Sequence, residues 1–502
     1  MFIPFLALVL FTFPLHAQSD FANCNQNTRN AETLKQPMSD DARLEVLDSI
    51  YSDLVTLAGN IKKNSSSYPM GIIKQCFIKK RKTFEDGIGF GSEVMKSTAR
   101  FYKLFANYSW LLENHEEAYK YFLKASEKTP TDFDIRRKAF EAWLSWKSST
   151  LKNIDPKQIS ESDLAALLKE SDSILLPLIE GNQVPIDIKI NSLITRATLI
   201  ESITGKVSQS IFDWKKVVDL SPKNVEALQK IVAYELSRKN LVDAKPYLLK
   251  LAPLTPSNLE VQRSLLEALY IQKDSEMARE WAKKFLDLQK SDPIVLSFAA
   301  WAFFESQDFT NSKKYALKSI KLDPKNVLAK STMAKILLTE GDLAVAAKDE
   351  TKAIGLYEKS LQYDPKQSTV LKKLGFLIYD TLQKTKGLSS KAKARDMQRA
   401  SELLYRYLKI ETPDSSILVT LVETSTISKQ YKIGEFACSK HLKDFGLFPT
   451  PQSVIDCSII FQKVGHTPKA KKLLEDALQE VRYTGSKSVF SDQLVKIVSL
   501  EK

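Results

Sequence analysis

Four prolines constrain this chain more than any other feature. Each closes an apolar segment that also carries lysine: Pro222 in LSPKN, Pro256 in LTPSN, Pro324 in LDPKN and Pro365 in YDPKQ. Proline lacks the backbone N–H and crowds the preceding turn, so it marks where a helix has stopped. The first two lie 34 residues apart, and the next interval is 68, twice that spacing. A fixed period of this length means one small helical unit copied along the chain. Such a unit cannot bury its apolar face alone and must stack on its neighbours.

Within a period the apolar residues fall on two helical faces. In NVEALQKIVAYELSRKNLVDAKPYLLKLAPLTP, Leu228, Ile231 and Val232 share a face of a first helix. Ala244, Leu248 and Leu251 share a face of a second. Small residues recur where two backbones would cross: Ala118 and Ala125 around Phe122, Ala353 and Ser360 around Tyr357, Ala470 and Ala477 around Leu474. VLKKLGFLIYD repeats the first-helix pattern with Leu371, Leu374 and Gly375. This two-helix, 34-residue pattern resembles the tetratricopeptide repeat, and it runs through residues 98–484. The resemblance implies an all-α fold, a right-handed α-α superhelix of the tetratricopeptide type. Residues 18–97 do not match the repeat and are expected to form a helical N-terminal cap. The amphipathic KSVFSDQLVKIVSL, within 485–502, is the expected closing helix.

Gly205, Gly341 and Gly465 are expected at turns between paired helices, where left-handed backbone is often needed. Two periods are long. Pro324 to Pro365 is 41 residues and Pro365 to Pro413 is 48, seven and fourteen more than 34. Seven residues are close to two helical turns, so a helix can lengthen without rotating its buried face. The extra segments GDLAVAAKDETKA and GLSSKAKARDMQRA are read as extensions with Asp342 and Ser390 as N-caps.

The N-terminal MFIPFLALVLFTFPLHAQSD has an apolar run from Phe2 to Leu15 and a small Ala17. This predicts a cleaved secretory signal over residues 1–17 and a periplasmic or secreted protein of a bacterial envelope. No other segment reaches spanning length, so no integral membrane segment is expected in the mature chain. The net charge is +13, supplied mostly by scattered lysines. That argues against a nucleic-acid reader, which concentrates arginine and basic charge in one groove. A weak contact with an anionic surface remains compatible with it.

Nothing in the sequence calls for catalysis, a metal or a cofactor. No two of the four histidines have metal-ligand spacing, and there is no nucleophile elbow, phosphate loop or H-E-x-x-H. GIGFG (Gly87, Gly89, Gly91) reads as a flexible loop, and KKRK (Lys79–Lys82) as a solvated helix end. Four cysteines are too few for a disulfide scaffold. The repeat register puts Cys438 on a second helix and Cys457 on the following first helix. They are either a disulfide or two buried thiols. A pairing of Cys24 with Cys76 is also allowed.

The resemblance implies a non-enzymatic scaffold that holds a protein or peptide segment in the concave groove lined by first helices. In PIVLSFAAWAFFES the register assigns Leu296, Ala299, Ala300 and Phe303 to the core. It leaves Phe298 and Trp301 toward the groove, in one row with Leu328, Phe376 and Tyr379. Either a partner covers this apolar strip or neighbouring helices do. Some family members also grip a C-terminal carboxylate, and Lys103, Asn107 and Arg196 match three positions of that clamp. Lys138 stands where the clamp has Asn, and Ser192 where it has Lys. The alternative function is a structural subunit of an envelope assembly or secretion machine, its groove permanently occupied.

Overall fold

The computed structural model describes residues 27–63, 70–152, 160–288, 292–385, 387 and 389–499. The proposed secretory signal lies outside them. The described residues contain helices and connections but no strand. No described helix is long and apolar enough to cross a membrane. The architecture is an all-α solenoid of consecutive packed helix pairs, and the chain divides into two compact units between Leu254 and Thr255.

The first unit opens with α1 (Asn27–Lys35), α2 (Asp40–Lys63), α3 (Met70–Gly89) and the short α4 (Glu93–Lys96). The pairs follow: α5 (Ala99–Leu111) with α6 (His115–Lys128), α7 (Phe133–Leu151) with α8 (Glu161–Glu180), α9 (Ile186–Thr204) with α10 (Val207–Leu220), and α11 (Val225–Ser237) with α12 (Leu241–Leu251). GIGFG is therefore largely helical. At Gly87 a Cβ would meet Leu34 Cδ1 at 2.7 Å, so this glycine serves close packing.

The second unit pairs α13 (Leu259–Ile271) with α14 (Ser275–Leu288), α15 (Pro293–Glu305) with α16 (Phe309–Leu322), α17 (Val327–Ala346) with α18 (Glu350–Tyr363), and α19 (Ser368–Lys384) with α20 (Ser390–Leu408). Then come α21 (Ser415–Ser428) with α22 (Tyr431–Phe445) and α23 (Pro451–Lys463) with α24 (Thr467–Gln479). A 3-10 turn over Val481–Ser486 leads into α25 (Lys487–Ser499).

Two local rules build these pairs. The residue two after three of the four motif prolines caps the next first helix: the side chains of Asn224, Asn258 and Asn326 each accept a backbone N–H of the first turn, whereas Gln367 after Pro365 makes no such bond. Between paired helices, one residue turns left-handed and the next caps the second helix. Glu113, Lys239, Gln307 and Lys348 have φ near +60°, and Asn114, Asn240, Asp308 and Asp349 follow as caps. Gly205 and Gly465 occupy the same left-handed position.

Gly341 does not. It is buried inside α17, and a Cβ there would run into the Tyr357 ring. The long period therefore extends the first helix, and Asp349, not Asp342, caps α18. Ser389 caps α20, one residue before the expected Ser390. Phe122, Tyr357 and Leu474 are buried with the small residues beside them, and Leu228, Ile231, Leu371 and Leu374 are buried on the first helices.

Candidate partner-binding cleft

Phe298 and Trp301 are only 8% and 6% exposed. Tyr270 of α13 covers both: its ring lies 5.7 Å from that of Phe298 and stands edge-on to Trp301 at 4.9 Å. Every residue of α15 from Val295 to Phe303 is buried. The expected five-residue strip is therefore not one open surface. Leu328, Phe376 and Tyr379 are half-buried. Tyr379 leans the other way, donating its hydroxyl to Glu423 Oε2 of α21 at 2.6 Å. Burial and that hydrogen bond push its pKa up to about 12.

Phe376 instead borders a cleft of about 840 Å³. Val345, Ala346, Tyr357, Phe376, Leu377 and Tyr407 give it an apolar floor. Asp342, Lys372, Lys373, Asp380 and Glu411 supply the charges around it. Lys373 Nζ binds both carboxylate oxygens of Asp342 at 2.7 Å. Asp342 also accepts the Tyr357 hydroxyl at 2.5 Å. Lys372 pairs with Asp414 at 3.1 Å and lies 5.7 Å from the centre of the Tyr407 ring.

The clamp residues are not assembled. Arg196 is held at 2.7 Å by Asp172 of α8 and at 2.9 Å by Asp213 of α10. The hydrogen bond it donates to Asp172 and the charge of Asp213 hold its pKa above the ordinary arginine value. An arginine bonded to two acids inside the stack has no free fork for a carboxylate. Lys103 pairs with Asp132 at 3.5 Å, and Asn107 is half-buried on the same helix. A recurring rung explains the lysine. Lys103, Arg263 and Lys372 each reach the aspartate that caps a following first helix: Asp132, Asp292 and Asp414. A basic residue at this position ties repeats together.

Cys438 of α22 and Cys457 of α23 form a disulfide with Cα atoms 5.8 Å apart. Cys76 is also disulfide-bonded, and the pairing with Cys24 falls on a residue outside those described. Lys80 of the KKRK run is fully buried against Asp53, a correction to the solvated reading. His441 is buried, bonded to Ser415 at 2.8 Å and to the Gly446 carbonyl at 3.1 Å, and stacked on Phe448. Burial lowers its pKa, so the ring is neutral and structural. Among the described residues no group of three His, Cys, Asp or Glu could hold a metal ion.

Residues 295–326 match the family model of the tetratricopeptide repeat. These residues carry one tetratricopeptide repeat. The match begins inside α15 and ends at the cap of α17, one full period of the fold. Proteins with this repeat bind protein or peptide partners and are generally non-catalytic scaffolds. No curated protein sequence matches the chain. Among solved structures it is similar to Pseudomonas aeruginosa PilF, at 14% identity over 48% of this chain and 95% of that one, TM-score 0.30. It is also similar to MamA from Desulfovibrio magneticus RS-1, at 15% identity over 37% and 94%, TM-score 0.28. A third is the C-terminal part of a tetratricopeptide-repeat protein from Cytophaga hutchinsonii, at 17% identity over 53% and 97%, TM-score 0.27.

Proposed function

We propose that this tetratricopeptide-repeat protein is a non-enzymatic scaffold of the bacterial cell envelope that captures a partner's chain segment in the cleft between α17 and α19. The apolar N-terminal run supports the location, and the cleft carries the binding reading. Its floor holds aromatic and aliphatic groups that the repeat packing leaves partly uncovered, Phe376 and Leu377 among them. Partly exposed aromatics in a concave site are where binding energy concentrates.

Photo-crosslinking from position 377 in native cells, compared with the same probe in a Phe376→Ala chain, tests the reading. A discrete crosslinked band that Phe376→Ala removes is expected. An identical pattern in both chains would refute binding at the cleft. Fractionation of the same cells tests the location, and a protein found wholly in the cytoplasm would refute export.

A further inference from the structure

Both lysines of the cleft are neutralised within the chain, Lys373 by Asp342 and Lys372 by Asp414. Two carboxylates of the same lining are not. Asp380 of α19 and Glu411, just beyond α20, are exposed and, among the described residues, make no ion pair or side-chain hydrogen bond. The same imbalance continues along the first helices. Glu423 of α21 accepts from Tyr379 and, at 2.8 Å, from Gln383, but meets no cation among the described residues. Asp456 of α23 is nine-tenths buried and, among the described residues, accepts only from Gln452, at 3.0 Å. Burial and, to a lesser degree, the nearby Glu423 charge push the Asp456 carboxyl up to about 6.

This acidity runs against the whole molecule, whose net charge is +13. A carboxylate without a counter-charge attracts a cation brought from outside, and a buried or half-buried one is also unfavourable alone. The floor beside it is apolar, so a bare metal ion or polyamine would leave Phe376, Leu377 and Tyr407 uncovered.

We infer that the occupant is a protein segment with one aliphatic or aromatic anchor flanked by lysine or arginine. The anchor sits on Phe376, Leu377 and Tyr407. One flanking cation meets Asp380 and Glu411, and a second, further along, is drawn toward the half-buried Glu423. The inference rests on the partner-capture reading above and adds the partner's chemistry.

A randomised dodecapeptide library displayed on phage, selected on the full chain, tests it. Recovered peptides are then titrated against wild type, an Asp380→Asn/Glu411→Gln double variant and Phe376→Ala. Peptides carrying Lys or Arg within a few residues of a large apolar side chain are expected. Their affinity should fall about tenfold in the double variant and weaken with added salt. Peptides without basic enrichment, or with affinity that only Phe376→Ala lowers, would overturn the charge inference and leave the cleft reading standing. No recovered peptide, or peptides indifferent to all three residues, would overturn the cleft reading itself. Self-association that the double variant abolishes would make a second copy the occupant and also overturn the inference. Both acid-to-amide changes are at exposed positions, and circular dichroism of each variant confirms that the helices persist.

Discussion

Helices α15 and α17 begin alike and end differently. Each follows an Asp or Asn cap at the start of a repeat. The first has 13 residues and the second 20. In α15 every side chain from Val295 to Phe303 is buried between neighbours. In α17 the residues that line the cleft, Asp342, Val345 and Ala346, all fall in the seven by which it exceeds α15. Two added turns keep the buried face in register. They also give the lengthened helix residues that its standard-length counterpart lacks. A repeat of standard length closes on itself, and a lengthened one supplies a wall for a binding surface.

Trp301→Ala breaks the closed half of this comparison and carries the largest expected effect. Removing a buried tryptophan costs about 3–5 kcal/mol. Urea unfolding should show that loss, and hydrogen exchange should place it in α13 to α16. A loss below about 1 kcal/mol would mean that Trp301 is not packed as Tyr270 and its neighbours indicate.

Asp456→Asn probes the open half from the side of charge. In the folded chain the carboxyl is pushed up to about 6 by burial. Its unfolded value is near 3.9. The folded state therefore holds this proton more tightly, and its contribution to stability is present below about pH 4 and lost as pH rises through 6. At pH 7.5 the amide should raise stability by about 2 kcal/mol, and at pH 4 it should add almost nothing. Equal gains at both pH values would remove the uncompensated charge from the argument.

Gly341→Ala tests the joint between the two halves. In an exposed helix interior this change gains about 1 kcal/mol. Here the new methyl group would press on Tyr357, a fully buried ring whose hydroxyl is fixed on Asp342. Overpacking of this kind costs about 1–3 kcal/mol. A net loss of roughly 1 kcal/mol is expected in thermal unfolding. A net gain would show that α17 is free to shift, and that the cleft wall is softer than its contacts imply.

The helix pairs were legible in the sequence because proline spacing and apolar periodicity are local. Gly341 misleads for the same reason. A glycine that ends a helix and a glycine that admits a ring from the next helix look alike along one strand of sequence. The left-handed residues at Glu113, Lys239, Gln307 and Lys348 carry no propensity of their own. Their signal is the Asn or Asp that follows, which caps the next helix. The fate of Phe298 and Trp301 was not local either. It depends on Tyr270, one repeat earlier, reaching across to them. Lys103 and Arg196 matched a family pattern by position, yet acids contributed by other helices had already bound them. Positions along a helix can be counted, but what a neighbouring repeat sends across requires the packed structure.

Phe376→Ala has the smallest expected effect on the fold and separates the two regions most cleanly. The ring is half-buried, so truncation forgoes only part of a phenylalanine's burial, about 1 kcal/mol. The same ring borders the cleft, where a partner would cover the rest of it. Its loss should therefore be read mainly in binding, by about tenfold or more for any peptide the cleft selects, with the unfolding midpoint barely moved. Trp301→Ala should do the reverse, lowering stability while surviving folded molecules bind with unchanged affinity. If Phe376→Ala instead destabilises the second unit as strongly as Trp301→Ala, the half-buried ring is core. The lengthened repeat would then have closed on itself in the same way as the short one.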